Sequence, residues 1–382
     1  MLTPRFRRVQ PPWTCERPLV VRFGAFGDMV LLTALIRELH AEYRVPVDVL
    51  TSGSWSEPLL TGQPGVGTVY SLRSRKTPYW LAPDQRRVVG ALRARGLSAT
   101  WLCDDDDAAR RLLNRAGVGA DWIVDVADHP RLPEEHATSQ WRRLARMLPR
   151  ARAGAPPPGA PTADLGCELR VGDAQHADLE DWLGARGIAA APLLLVQMGN
   201  KRTMRRGTRR LAANHKYWPP ERWRTAILHL RARHPRHAIL LLGTGPEYVL
   251  NQALIEQTPV SGLHNVADDL PVPRLVALLA RAAGLLTVDS GPAHAAAAVA
   301  CPQVVLFGRA LPSLYRPWGS AGAPVLVLTG TQGGEPSMQG ITAAEVIAAW
   351  DLLALRDPPG RDDQLSAFTM SDVTRTTPPS VT

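Results

Sequence analysis

The 382-residue sequence predicts an α/β protein built as two doubly wound domains that face each other across a cleft, and three features carry that prediction. Short apolar runs of strand length alternate with helix-length segments bearing one apolar face, the pattern of a parallel sheet covered on both sides. A proline-rich break at residues 151–163, containing Pro156, Pro157, Pro158 and Pro161, divides the alternation into two series and can continue neither a helix nor a central strand. Several strands end in glycine-bearing polar turns that open helices, the edge at which open α/β sheets bind ligands. Domains over residues 1–160 and 161–356 follow, with a disordered tail over 357–382, where Thr, Pro, Asp and Ser dominate.

In the first series, residues 19–23 form an apolar strand, Gly24-Ala25-Phe26-Gly27 a turn, and Asp28 opens a helix to about His40. Residues 47–50, 66–70, 99–103 and 122–126 read as further strands, with helices at 84–95, 108–116 and 134–147. The second series runs through a helix at 174–186, a strand at 193–197, a helix at 220–234, a strand at 238–242 and helices at 247–257 and 272–283. Residues 285–288 then form a strand that ends at Asp289-Ser290-Gly291-Pro292-Ala293-His294 and enters an alanine-rich helix. A strand at 301–308, another at 325–328 and a helix at 342–355 close the series.

Composition narrows the function classes. The formal charge of +9 invites a polyanion, but only Lys76, Lys201 and Lys216 are lysines, so the excess is arginine spread through a compositionally skewed chain. The densest patch, from Lys201 to Arg210, lacks the aromatic platforms that single-strand nucleic-acid binders stack on, which points away from nucleic acid and towards a phosphate- or lipid-facing loop. Cys15, Cys103, Cys167 and Cys301 are scattered without a C-x-x-C pair, so neither a metal cage nor a disulfide framework is expected and a reducing cytoplasm fits. The first sixteen residues lack the continuous apolar stretch of a signal peptide and no run reaches membrane-spanning length, so a soluble or peripheral protein is expected.

The chemistry gathers at the strand ends. The turn from Asp289 to His294 leads into first-turn N–H groups that have no intrahelical partner, which favours an anionic ligand. His294 reads either as a satisfied core histidine or as a phosphate donor, and its place beside Ser290 and Gly291 favours the donor. Asp28 reads either as a helix-start acid that satisfies orphan amides or as a general base at the cleft mouth. Gly24 and Gly27 do not make a dinucleotide fingerprint, which needs three spaced glycines and an acid closing the second strand. Lys216, ahead of the helix that starts at Pro220, reads either as a solvated lysine or, in a chain with so few lysines, as a diphosphate counter-charge, while Trp218 and Trp223 suit core. Glu247, after Gly243-Thr244-Gly245-Pro246, reads as a cap or as the acceptor of a ribose diol. The run Asp104 to Asp107 reads as a solvated acidic cap before a helix.

Phe23 to Thr33, the Lys216-Tyr217-Trp218-Pro219 step, and Asp289 to His294 with Phe307-Gly308 together resemble glycosyltransferase family 9, the lipopolysaccharide heptosyltransferases, over roughly residues 19–355. The resemblance implies a GT-B fold, with the nucleotide sugar held mainly by the C-terminal domain and the acceptor on the N-terminal side. It implies Asp28 as the base, Lys216 against the diphosphate and Asp289 on sugar hydroxyls. Gly27, Ser290, Gly291 and His294 would line the donor pocket, and Glu247 would contact the nucleoside. It further implies inversion in one displacement with no cofactor and no bound metal.

Family members carry a shorter loop where this chain has a basic insert at residues 200–214, and Asn200 and Lys201 are donor-binding candidates because they lie nearest the strand end. The expected activity is heptose transfer from ADP-L-glycero-D-manno-heptose to the lipopolysaccharide inner core, by a peripheral enzyme at the cytoplasmic face of the inner membrane. The segment from Arg73 to Trp80 mixes cations with aromatics and suits an anionic amphiphile at an interface or a solvated loop. Two other readings stand beside this one: a family relative with another nucleotide sugar or acceptor, and a noncatalytic polyanion binder with steeply salt-dependent affinity.

Overall fold

A computed structural model describes residues 16–75, 77–153, 166–199 and 216–357. Asn200, Lys201 and the rest of the basic insert, most of the proline-rich break and the tail beyond residue 357 lie outside the described residues.

The first lobe runs β1 (Leu19–Val21), α1 (Phe26–Tyr43), β2 (Val47–Ser52), α2 (Ser56–Leu60), β3 (Val66–Leu72), α3 (Pro83–Arg95), β4 (Thr100–Leu102), α4 (Asp107–Arg115), β5 (Ile123–Asp125) and α5 (Ala137–Ala145). Its sheet is parallel in the order β3-β2-β1-β4-β5. The second lobe runs α6 (Asp173–Gly184), β6 (Leu193–Gln197), α7 (Pro220–Arg233), β7 (Ala238–Leu241), α8 (Tyr248–Glu256), β8 (Leu263–Asn265), α9 (Val272–Arg281), β9 (Gly284–Val288), α10 (Gly291–Ala298), β10 (Gln303–Phe307), α11 (Pro312–Tyr315) and β11 (Val325–Thr329). A small hairpin, β12 (Thr331–Gln332) and β13 (Glu335–Pro336), precedes α12 (Ala343–Leu352). The six-stranded sheet has the order β11-β10-β9-β6-β7-β8.

Both orders start in the middle of the sheet, wind one way, then return to wind the other, which opens a crevice where the direction reverses. In the first lobe it lies between the ends of β1 and β4, and in the second between those of β6 and β9. Strands β6, β7, β9 and β10 are buried along their whole length, as their predominantly apolar content requires of strands covered on both faces. Trp218 and Trp223 are core, packed edge to face at 4.8 Å under the second sheet, as expected.

One apolar cluster continues from the first lobe into the second, from Met29, Leu32 and Ile36 of α1 to Ala295 and Ala298 of α10. Helix α10 carries alanine at most core positions, and these small side chains let it pack against α1 as well as β9 and β10. Gln63 fastens the lobes further on, its amide pairing with both backbone groups of Arg170. Arg37 joins them too, donating to the Gly166 carbonyl at 2.8 Å and pairing with Glu168 at 2.7 Å.

Candidate active site

The turn after β1 and the turn after β9 meet at the base of the cleft. A Cβ on Gly27 would stand 3.0 Å from His294 Cδ2 and 3.2 Å from Gly291 Cα, and one on Gly291 would stand 2.5 Å from the Phe26 ring. Neither glycine needs a left-handed backbone here, so it is the closeness of the two loops that excludes a side chain. Gly27, Asp28, Asp289, Ser290, Gly291 and His294 are therefore brought together from opposite lobes.

Asp28 stands at the third residue of α1, which begins two residues earlier than expected. Its Oδ2 accepts the Ala25 N–H at 2.8 Å, so the helix-start role is real. Its Oδ1 is 3.6 Å from Arg22 Nη2, beyond a good hydrogen bond, and the side chain remains 42% exposed, so lone pairs are open to a ligand.

Across the junction, Lys216 Nζ lies 2.7 Å from the Asp289 carbonyl oxygen and 2.7 Å from Asp289 Oδ2. The pair fixes the ammonium beside the start of α10. Ser290 caps that helix without a side-chain bond, and its hydroxyl lies 3.3 Å from Thr287 Oγ1. Pro292 has no N–H to offer, which leaves the neighbouring first-turn amides as donors for an anion. His294, two positions further, is buried, and its Nδ1 is without a partner. Burial pulls its pKa down to about 4, so at neutral pH the ring is uncharged and can offer one N–H but no net charge.

Glu247 closes a short 3₁₀ turn ahead of α8. Its Oε2 accepts from the Thr244 N–H at 2.9 Å and the Thr244 hydroxyl at 2.8 Å, the capping role. Its Oε1 is buried without a partner, and burial raises the pKa of the group. A buried acceptor left open is costly unless a donor fills it, and a ligand hydroxyl is the natural donor. Gly199, just past β6, faces that oxygen closely; a Cβ there would come 3.0 Å from Glu247 Cδ.

One reading is corrected. Only part of the Asp104 to Asp107 run is a solvated cap: Asp106 caps α4 by accepting from Ala108 N–H, and Asp105 and Asp107 are exposed. Asp104 is turned inward at the first-lobe crevice, accepts from the Phe23 N–H and lies 3.1 Å from Arg22 Nη1. Burial is the largest influence on Asp104 and raises its pKa. Arg22, Asp104 and Gly199 were missed by sequence reasoning. A signal existed for Arg22, a cation that follows a fully buried strand without a break.

The cleft also has a side wall. Arg131 of the first lobe stacks on the Tyr315 ring at 4.7 Å, and His136 Nε2 donates to the Arg316 carbonyl, 2.8 Å away, while its ring meets Trp318 edge to face.

Residues 115–333 match the model of glycosyltransferase family 9 (heptosyltransferase). No curated protein matches the chain. Among solved structures, ADP-heptose lipopolysaccharide heptosyltransferase II of E. coli is similar at TM-score 0.66 and 19% identity, over 88% of this chain and 98% of that one. A family 9 glycosyl transferase from Veillonella parvula is similar at TM-score 0.70 and 16% identity, over 88% and 97% of the two chains. The E. coli heptosyltransferase WaaC with ADP is similar at TM-score 0.64 and 19% identity, over 88% and 99%. These neighbours have the GT-B fold, and the two parallel sheets place this chain with them.

Proposed function

The chain belongs to glycosyltransferase family 9 and is a glycosyltransferase, and from that premise we propose that it moves heptose from ADP-L-glycero-D-manno-heptose to the lipopolysaccharide inner core with inversion. The observation that carries this reading is the meeting of the Gly27-Asp28 turn of one lobe with the Gly291 to His294 turn of the other, beside the Lys216–Asp289 pair. It sets a partly open carboxylate against an anion-binding helix start, the two halves a displacement at a sugar diphosphate needs.

In the reaction, the acceptor hydroxyl gives its proton to Asp28 Oδ1 as its oxygen bonds to the anomeric carbon. The bond from that carbon to the diphosphate oxygen breaks from the opposite face, and the nucleoside diphosphate leaves with the electron pair. Lys216 and the first-turn amides of α10 meet the charge that grows on the leaving group, so a bound divalent ion is not required in this proposal. Asp289 orients Lys216 and holds sugar hydroxyls through its remaining acceptor capacity. Neutral His294 donates a hydrogen bond, and Glu247 Oε1 receives a ribose hydroxyl. Asn200 and Lys201 remain proposed donor contacts by their place in the sequence.

The acceptor side would be the first lobe. There Trp80 is 73% and Leu81 56% exposed, with Arg73, Arg86 and Arg87 also at the surface, a mixture suited to peripheral contact with an anionic membrane. No helix among the described residues is long and apolar enough to cross a membrane. The proposed location is the cytoplasmic face of the inner membrane.

A thermal-shift panel of nucleotide sugars, with and without chelator, tests the donor. Stabilisation by ADP-heptose in both conditions is expected; stabilisation by another nucleotide sugar alone would redirect the donor assignment. Transfer to heptose-deficient lipopolysaccharide is the companion assay. Asp28→Asn should lower transfer by about 10²–10⁴-fold, the worth of a general base, leaving a measurable residual rate and the ADP-heptose shift, whereas loss of transfer and shift together would leave Asp28 as a helix cap.

A further inference from the structure

We propose that Arg22 is the positioning residue of the proposed base, holding Asp28 from behind while Asp104 holds Arg22 back. The inference rests on the reading of Asp28 as the proton acceptor. Arg22 follows β1 directly, and its guanidinium lies under the first-lobe crevice with a side chain only 19% exposed. Four groups from three elements surround it. Its Nη1 donates to the Cys103 carbonyl at the end of β4 and lies 3.1 Å from Asp104 Oδ1. Its Cζ stands 5.2 Å from the Trp141 ring of α5, a cation–π contact. Its Nη2 is turned to Asp28 of α1 at 3.6 Å. Gly24 leaves the room for this course, since a Cβ there would come 3.0 Å from Arg22 Nε and 2.5 Å from Asp28 Cβ.

The separation from Asp28 is the telling quantity. At 3.6 Å the cation attracts the carboxylate without spending an Oδ1 lone pair on a good hydrogen bond, while Ala25 N–H pins the other oxygen. The carboxylate plane is thereby set and one acceptor position stays open to a substrate hydroxyl. Asp104 is what keeps the distance. Without its carboxylate, the planar guanidinium is free to advance and close on Asp28 in the forked arrangement arginine prefers, which would occupy the base. Arg22 and Asp104 touch no substrate in this scheme; both act through Asp28.

Steady-state transfer from ADP-heptose to heptose-deficient lipopolysaccharide, with calorimetric donor affinity and a melting temperature for each variant, tests the idea. Arg22→Gln should lower kcat by roughly tenfold to a hundredfold, the scale of a misoriented catalytic group, with the donor Kd unchanged. Arg22→Lys should recover most of that rate. In the Asp28→Asn background, Arg22→Gln should leave the residual rate unchanged, because a positioning residue has nothing left to position. Asp104→Asn preserves volume and carries the test should Arg22→Gln fold poorly; its loss of kcat should vanish when Arg22 is also replaced. The same fold-loss in both Asp28 backgrounds, a lysine no better than glutamine, or a loss confined to KM would overturn the inference. Full transfer by Asp28→Asn would instead overturn the base itself.

Discussion

Replacing Lys216 by Met separates two things the ammonium does. It lies 2.7 Å from both the carbonyl and the carboxylate of Asp289, whose side chain is 8% exposed against 21% for the lysine. Methionine keeps the stem and removes the charge, which leaves the buried Asp289 carboxylate without that cation. Breaking a fully buried pair from one side costs about 3–5 kcal/mol. Water can reach this lysine, so about 2–3 kcal/mol is the better expectation here. At roughly 2–4 °C per kcal/mol for a unit of 150–250 residues, the melting temperature should fall by about 4–12 °C. Asp289→Asn in the same chain removes the stranded charge and should return most of that loss. Donor affinity behaves differently. A charge-assisted contact to a diphosphate contributes about 1.5–3 kcal/mol, so the Kd for ADP-heptose should rise by roughly 10–150-fold, and the second substitution should not restore it. Scanning fluorimetry and calorimetry on the single and double variants read both quantities. A melting temperature that does not move refutes the burial argument, and a lowered one with unchanged Kd refutes the diphosphate role.

Other expectations follow from the same geometry. The His294 pKa is about 4 in the folded protein against 6.5 when free, so folding is favoured above pH 6.5 and that advantage is lost as pH falls from 6.5 towards 4; His294→Asn should flatten the fall in melting temperature across that window, and parallel curves would disprove the burial. Gly199→Ala puts a methyl where Glu247 Oε1 sits and should shift the carboxylate off Thr244, raising the donor Kd by on the order of tenfold through one to two weakened hydrogen bonds; an unchanged Kd removes Glu247 from the donor site. Gly291→Ala should force the Phe26 ring away and part the two turns, lowering kcat with little change in melting temperature; full activity would show that their close approach is dispensable.

Where the sequence spoke clearly, the reason was redundancy. The buried strands β6, β9 and β10 are mostly apolar, each with one polar residue (Gln197, Thr287, Gln303), and each is punctuated by Gly, Pro or Asp, so length and turn chemistry agree on one answer. Strand β8 was missed because Leu263-His264-Asn265 is a three-residue edge strand, half-buried, with no apolar pattern of its own; the pairing with β7 makes it a strand. Helix α11 was missed for the same reason, being a single turn after Leu311.

The candidate site divides along the same line. Local sequence determined that Asp28, Glu247 and Asp289 would stand at strand ends beside helix starts, because backbone preferences, glycine turns and orphan amides act over a few residues. Which of four consecutive aspartates faces inward was decided elsewhere. Asp104 turns in because the residues just past β1, 81 positions before it, present the Phe23 N–H and the Arg22 guanidinium to it, while Asp105 and Asp107 are exposed and meet Arg110. Likewise nothing local tells Gly27 that Gly291 will press against it. Such contacts come from packing α1 on α10 and winding two sheets from their centres, and side chains distant in the chain acquire partners only when that packing is complete.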